Sequence, residues 1–185
     1  MLKLNAVRHF NFVTDLHPFE KKSNILFGRM AVKQPHRRAF YLKHFDNPRC
    51  NLGDVSDRNP EHRHWKSPEI SIATHLQYKF ILALEGNDVA TNLKWIMSSN
   101  SIAVMPKPKF ETWFMEGKLV AGRHYIEIAD DYSNLDEKFD HYASKTEECL
   151  DIINNANEWC NQYRNKKLET ALNIATLEKY LAFSE

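Results

Sequence analysis

No stretch of the 185 residues approaches the roughly 20 consecutive apolar positions that a membrane-spanning helix needs. The opening segment MLKLNAVRHFNF has neither a long apolar centre nor a small-residue cleavage site, so it does not read as a secretory signal. Cysteine is scarce: Cys50, Cys149 and Cys160 are odd in number and form no CxxC pair. That usage suits a reducing, cytosolic compartment and argues against a structural zinc site. Also absent are GxGxxG, a P-loop, GxSxG, HExxH and any internal repeat or low-complexity tract. The standard dinucleotide, nucleotide-triphosphate, serine-hydrolase and metalloprotease signatures are therefore excluded.

What remains is a chain with material for a core. Hydrophobic residues make up 43% and aromatics 12%, which argues against a disordered segment and for one domain, or one half of a larger two-domain enzyme. Net charge is only +1 but is unevenly placed. Residues 1–66 carry 13 Lys/Arg against 6 Asp/Glu and hold six of the nine histidines, while residues 67–185 are acidic. A basic half beside an acidic half fits an anionic ligand or partner on the first, and fits equally two halves that attract each other.

The pattern along the chain alternates strands and helices. SNILFG (23–28) reads as a short buried strand, and Pro35 suits the first turn of a helix. Residues 46–68 read as a long loop. Ser67-Pro68-Glu69 looks like the start of a helix through residue 77. KFILAL (79–84) is a continuous apolar run, as expected of a central parallel strand. Val89–Ser98 has helical spacing, with Asn87 or Asp88 as a credible N-cap. SIAVM (101–105) is a further strand, FETWFMEG (110–117) a turn or two of helix, and HYIEIA (124–129) another strand. Ser133 can cap a helix carrying Leu135, Phe139 and Tyr142. Helices over 146–163 and over Leu168–Leu181, the second amphipathic, complete the chain. This alternation predicts an α/β fold with a parallel sheet flanked by helices.

Three places carry candidate chemistry. At Leu84-Glu85-Gly86-Asn87 a strand ends in a glycine turn ahead of a helix, and the N–H groups of that helix would suit a phosphate. Lys94 lies farther along the same helix. On spacing alone a structural turn is the better reading. Gly28-Arg29 repeats the arrangement at another strand end, with Arg37 and Arg38 downstream; the alternative is a solvated basic face. His62 and His64, two residues apart, lack a third ligand of clear spacing, so a polar loop is expected rather than a metal site. Glu111 could meet ribose hydroxyls or simply favour a helix start. Trp113 and Phe114 read as core.

Taken together, FGR (27–29) with Arg37, KFILALEGNDVATNLKW (79–95), SNSIAVMPKPKFETWF (99–114) and HYIEI (124–128), followed by Asp131, Ser133 and Leu135, resemble the C-terminal part of a family 90 glycosyltransferase. The match in order and spacing runs over roughly residues 20–145. The resemblance implies a Rossmann-like parallel sheet flanked by helices, half of a GT-B-like fold. It would be a single nucleotide-sugar-binding domain over 1–185, with an α/β core at 20–130 and C-terminal helices at 131–185. It implies inverting transfer of a hexose from UDP-glucose or UDP-galactose to a lipopolysaccharide or lipooligosaccharide core. No metal or other cofactor is expected. The location would be cytoplasmic, at the inner face of the inner membrane, with peripheral membrane association. Carried over by position, Arg29, Arg37, Glu85, Gly86, Asn87, Lys94 and Glu111 are the expected donor-binding residues. Asn92 replaces an arginine found in eukaryotic members, which redistributes the phosphate contacts. The half that supplies the acceptor site and catalytic base is expected to precede this one and to be missing, so the catalytic residue is unassigned. The alternatives are a non-catalytic nucleotide-sugar-binding remnant, one half of a split transferase and, ranked last, a nucleic-acid-binding module. No nucleic-acid partner is expected, because no basic helix with interleaved aromatics is present.

Overall fold

A computed structural model of the chain describes residues 11–183. Residues 1–10, on which most of the leader-sequence reading falls, lie outside them. Five strands form one all-parallel sheet: β1 (Ser23–Met30), β2 (Cys50–Asp54), β3 (Tyr78–Leu82), β4 (Ile102–Met105) and β5 (Ile126–Glu127). Their order is β2-β1-β3-β4-β5.

Because successive strand residues face opposite sides, the apolar runs fill two layers. Leu26, Phe80, Leu82, Ile102, Val104 and Ile126 face one core, together with Phe40 and Tyr41 of α1 (Pro35–His44) and Leu135 and Tyr142 of α4 (Leu135–Ala143). Ile81, Ala83, Ala103, Met105 and Tyr125 face the other, with Leu93, Trp95, Ile96 and Met97 of α3 (Leu93–Met97). Helix α5 (Thr146–Asn161) serves both cores, with Cys149, Ile152 and Ile153 in the first and Ala156 and Cys160 in the second. The fold is thus α/β and Rossmann-like, with helices on both faces and at the C-terminus.

Several local expectations need correcting. The supposed loop 46–68 contains β2, whose register runs from Leu26↔Cys50 to Met30↔Asp54. As an edge strand, β2 needs only one apolar anchor, Leu52, so its polar residues hid it. Gly53 is required there: a Cβ would lie 2.5 Å from Ser67 Cβ. Ser67 does not start a helix; its N–H bonds Asp54 O (2.9 Å), and the short α2 (Ile72–His75) is instead capped by Ser71 Oγ, which accepts from Thr74 N (3.2 Å). Helix α3 starts only at Leu93, since Gly86 N turns back to Asp88 O (2.9 Å) and Asn92 Nδ2 donates to Leu82 O (3.0 Å). FETWF is not helical. Thr112 N and Oγ1 donate to the Glu116 carboxylate and Met115 is left-handed (φ 56°), so the segment runs as a strap ending in a single 3-10 turn at Glu116–Lys118.

The strand expected at 124–129 pairs with β4 only at Ile126–Glu127. Ser133 Oγ is engaged by Asp131 Oδ1 (2.7 Å), so Asn134, not Ser133, precedes α4. The last helix, α6 (Lys166–Ala182), is capped by Asn165 but is not amphipathic: Leu168, Leu172, Ile174, Leu177 and Leu181 are all exposed and distributed around it. No helix among the described residues is long and apolar enough to cross a membrane.

Part of the charge asymmetry is internal. Arg49, from the basic half, is bidentate to Asp140 (2.8 and 2.9 Å) on α4, in the acidic half, whereas Lys22 pairs within the basic half, with Asp15 at 2.6 Å. The latter pair lies at the amino ends of the strands, where Lys22 Nζ also donates to Leu76 O and Ser101 Oγ.

Candidate functional site

From β1 the chain moves to β2 on one side and then crosses beyond β1 to β3 on the other. The strand order therefore reverses between β1 and β3, and in open α/β sheets ligands lie in the crevice outside the carboxyl ends at that point. Arg37 spans this crevice. Its Nη1 donates to Ala31 O after β1 (3.0 Å), its Nη2 to Leu84 O (2.8 Å) and its Nε to Glu85 O (2.8 Å) after β3. Three carbonyls hold the guanidinium flat across the strand ends, and no carboxylate among the described residues pairs with it. Burial pulls its pKa below the ordinary arginine value, but a guanidinium stays charged at any physiological pH.

The neighbouring residues make room for it. Gly86 has no side chain where a Cβ would come to 3.3 Å from Arg37 Nη2. His36 Nε2 donates to Glu85 O (2.8 Å), and Gln34 Nε2 donates to Asn87 Oδ1 (3.0 Å). Helix α1 begins here with Pro35 in its first turn, no side-chain cap and no acidic residue in that turn. Its first N–H groups and the positive end of its dipole are thus open to an anion. No helix begins directly after Gly86; the uncapped helix terminus at this crevice is that of α1.

A cavity opens on each side of Arg37. One, of about 160 Å³, lies over the ends of β3 and β4 and is lined by Leu84, Glu85, Leu93, Met105, Phe110 and Tyr132 among others. The other, of about 310 Å³, lies between β1 and β3 and includes Arg29, Arg37, His75, Asn92 and Trp95. Arg29 reaches it after bending over β2, with Nη1 on Asn51 O (2.9 Å), Nη2 on Asn51 Oδ1 (2.7 Å) and Cζ 4.4 Å from the Phe27 ring centre.

Of the seven sequence-derived donor residues, the fold gathers Arg29, Arg37, Glu85, Gly86 and Asn87 at this mouth. Two lie elsewhere. Lys94 is buried behind the first cavity and pairs with Glu116 Oε1 at 3.1 Å. Glu111 faces the strap, accepting from Gly117 N at 3.2 Å, and lines neither cavity. Glu85 uses Oε1 to hold Lys109 N (2.9 Å) and Phe110 N (3.1 Å), so it secures the strap at the rim. His62 stacks on Trp65 at 4.0 Å, and among the described residues no group of three His, Cys, Asp or Glu is placed to hold a metal. Sequence reasoning missed His36, Glu116, Asp130 and Tyr132. The available signal was position: His36 follows the proline of a helix start, and Asp130-Asp131-Tyr132 follows a strand.

A doubly wound parallel sheet with an uncompensated cation at its switch point defines an α/β domain of Rossmann-like type whose site lies at the carboxyl ends of the strands. The chain belongs to glycosyl transferase family 90, whose model matches residues 15–172. It is 42% identical over 189 aligned positions to the O-glucosyltransferase LpsA of Dichelobacter nodosus, a match covering all of this chain and 58% of that protein. The chain thus spans a little over half the length of the curated relative it matches.

Proposed function

We propose that this chain binds the nucleotide-sugar donor of a glycosyltransferase. The transferase would move a hexose, glucose or galactose, from UDP to the core of a lipopolysaccharide or lipooligosaccharide. The observation that carries the reading is Arg37, a guanidinium fixed by three carbonyls across the switch point with no carboxylate partner. Family membership supplies the reaction class, and the relative named an O-glucosyltransferase favours glucose. A cavity of about 160 Å³ is below the roughly 300–1,000 Å³ that encloses a whole drug-sized ligand. It would take one ring of the donor, with the diphosphate over Arg37 and the open turn of α1 and Arg29 on the far side.

In this reading the acceptor hydroxyl attacks the anomeric carbon from the face opposite UDP. A new carbon–oxygen bond forms as the bond to the β-phosphate oxygen breaks, with inversion. The electron pair leaves on UDP, where Arg37 and the α1 N–H groups stabilise the developing charge. The acceptor proton passes to a carboxylate. Neither Asp15 nor Asp54 suits that role. Asp15 is paired with Lys22 at the opposite end of the sheet. Asp54 accepts from Val32 N, Ser56 N, Ser56 Oγ and Asn59 Nδ2. The base would come from the part of the enzyme that this chain does not span.

Calorimetric titration with UDP, UDP-glucose and UDP-galactose, alongside a donor-hydrolysis assay, tests the reading. Saturable binding that is lost in Arg37→Gln supports it, and absence of binding to all three ligands overturns it. Binding without turnover identifies a donor-binding part that needs its other half.

A further inference from the structure

Two non-glycine residues among those described have a left-handed backbone, Met115 and Tyr132. Met115 is exposed, but Tyr132 (φ 62°) is buried, 4% exposed, and lines the smaller cavity. A bulky residue in this region is strained, and such strain persists only where the surroundings over-determine it. Here they do. Tyr132 N bonds Ala129 O (2.8 Å), Ala129 N bonds Asn134 Oδ1 (2.7 Å), and Asp131 Oδ1 takes both Ser133 N (3.0 Å) and Ser133 Oγ (2.7 Å).

The strained turn directs Tyr132 onto one stripe of α1. Its hydroxyl donates to His36 O (3.1 Å), its ring meets Phe40 edge-on (5.0 Å between centres, 82°), and its carbonyl accepts from His44 Nε2 (3.0 Å). Positions 36, 40 and 44 are four apart and share a helix face. Lys43 adds a bond to Asp131 O at 3.0 Å. Of these contacts, only the hydroxyl bond reaches the first turn of α1, the turn that carries His36 and Arg37 to the end of β3. A tyrosine that merely filled space could be replaced by phenylalanine without effect. The hydroxyl on the His36 carbonyl, at the turn that faces the crevice, gives the residue a second role.

We propose that Tyr132 is a positioning residue for donor binding: its hydroxyl fixes the first turn of α1 so that the open N–H groups and Arg37 stay aimed at the switch point. The proposal rests on the donor reading above. Burial also holds the phenol in its neutral, donating form by raising its pKa.

The test compares the full chain with Tyr132→Phe, and with p-aminophenylalanine at the same position, which restores a donor at the ring tip. Loss of one such hydrogen bond is expected to weaken UDP binding about tenfold. Little change in melting temperature and recovery with the amino analogue should accompany it. Wild-type UDP affinity in Tyr132→Phe overturns the proposal, as does failure of the amino analogue to recover binding. Hydrogen exchange at the Arg38 and Ala39 amides of the ligand-free protein gives an independent readout. Faster exchange in Tyr132→Phe than in wild type supports the proposal, and equal exchange overturns it. If the wild-type chain binds no UDP, the donor reading fails by itself and the exchange comparison alone decides the role of Tyr132.

Discussion

The Lys94 ammonium lies 3.1 Å from Glu116 Oε1, with both side chains no more than 2% exposed. Around them, the rings of Trp113 and Phe114 stand 5.4 and 5.2 Å from the ammonium, and Thr112 N and Oγ1 complete the carboxylate's bonds. The pair ties α3 to the strap that walls the smaller cavity, so the lysine's charge is used inside the protein.

Lys94→Met should therefore act on stability. Removing one partner leaves the other as an uncompensated buried charge, at a cost of about 3–5 kcal/mol. Thermal unfolding should show a large drop, while UDP affinity, measured where the variant is still folded, should hold. Lost affinity at unchanged stability would instead return Lys94 to the donor site.

Glu85 separates an acceptor role from a charge role. Glu85→Gln keeps a carbonyl for Lys109 N and Phe110 N, whereas Glu85→Ala leaves both N–H groups without it. The glutamine variant should keep near wild-type exchange at those two amides. The alanine variant should exchange faster there and lose about 1 kcal/mol, because these groups are partly solvated. Equal exchange in both variants would show that the strap is held by other contacts.

How far the sequence disclosed this arrangement depends on the kind of signal. Central strands were legible because burial on both faces demands continuous apolar runs, as in KFILAL and SIAVM. Edge strand β2 was not, since CNLGD needs only Leu52 inside. By pattern, residues 87–92 read as an N-cap and first helical turn. Asn92 could have capped a helix, but its side chain bonds Leu82 O, a partner ten residues back that periodicity cannot foresee. Arg29, Arg37, Glu85, Gly86 and Asn87 were legible as neighbours of one crevice because strand-end glycines and arginines mark such a place locally. The Lys94–Glu116 pair and the Tyr132–His36 contact join residues 22 and 96 apart, and no local pattern encodes them.

Three buried histidines set the response to mild acid. Burial depresses the pKa of His44, His75 and His124 below the ordinary 6.5. The unfolded chain therefore binds their protons first, so stability is full above pH 6.5 and declines as pH falls from there toward the lower folded values. Asp15 and Asp54, whose pKa values lie below 3.8 despite burial, add an acid loss only below that value. Melting temperature should fall between about pH 7 and pH 5. His75 lies between the rings of Phe27 (5.1 Å) and Trp95 (5.3 Å), so His75→Phe should fit there and flatten the slope. An unchanged slope would assign the effect to the other two histidines.

In the proposed function Arg37 would serve both stability and ligand binding, and contrast with Asp15 separates the two. Arg37→Lys keeps the charge but cannot reproduce three divergent bonds to Ala31, Leu84 and Glu85 carbonyls. It should lose stability, on the order of 2 kcal/mol, and most of its hold on a diphosphate. Arg37→Gln, which also removes the charge, should weaken UDP binding about tenfold to a hundredfold and blunt the dependence of that binding on salt. Asp15→Ala leaves Lys22 buried without its partner at the other end of the sheet. It should cost at least as much stability, about 3–5 kcal/mol, while leaving UDP affinity unchanged. Calorimetry with UDP at two salt concentrations, combined with thermal unfolding of all three variants, reads out the distinction. Equal loss of UDP affinity in the Asp15 and Arg37 variants would mean that binding follows general stability and that the crevice guanidinium does not contact the ligand.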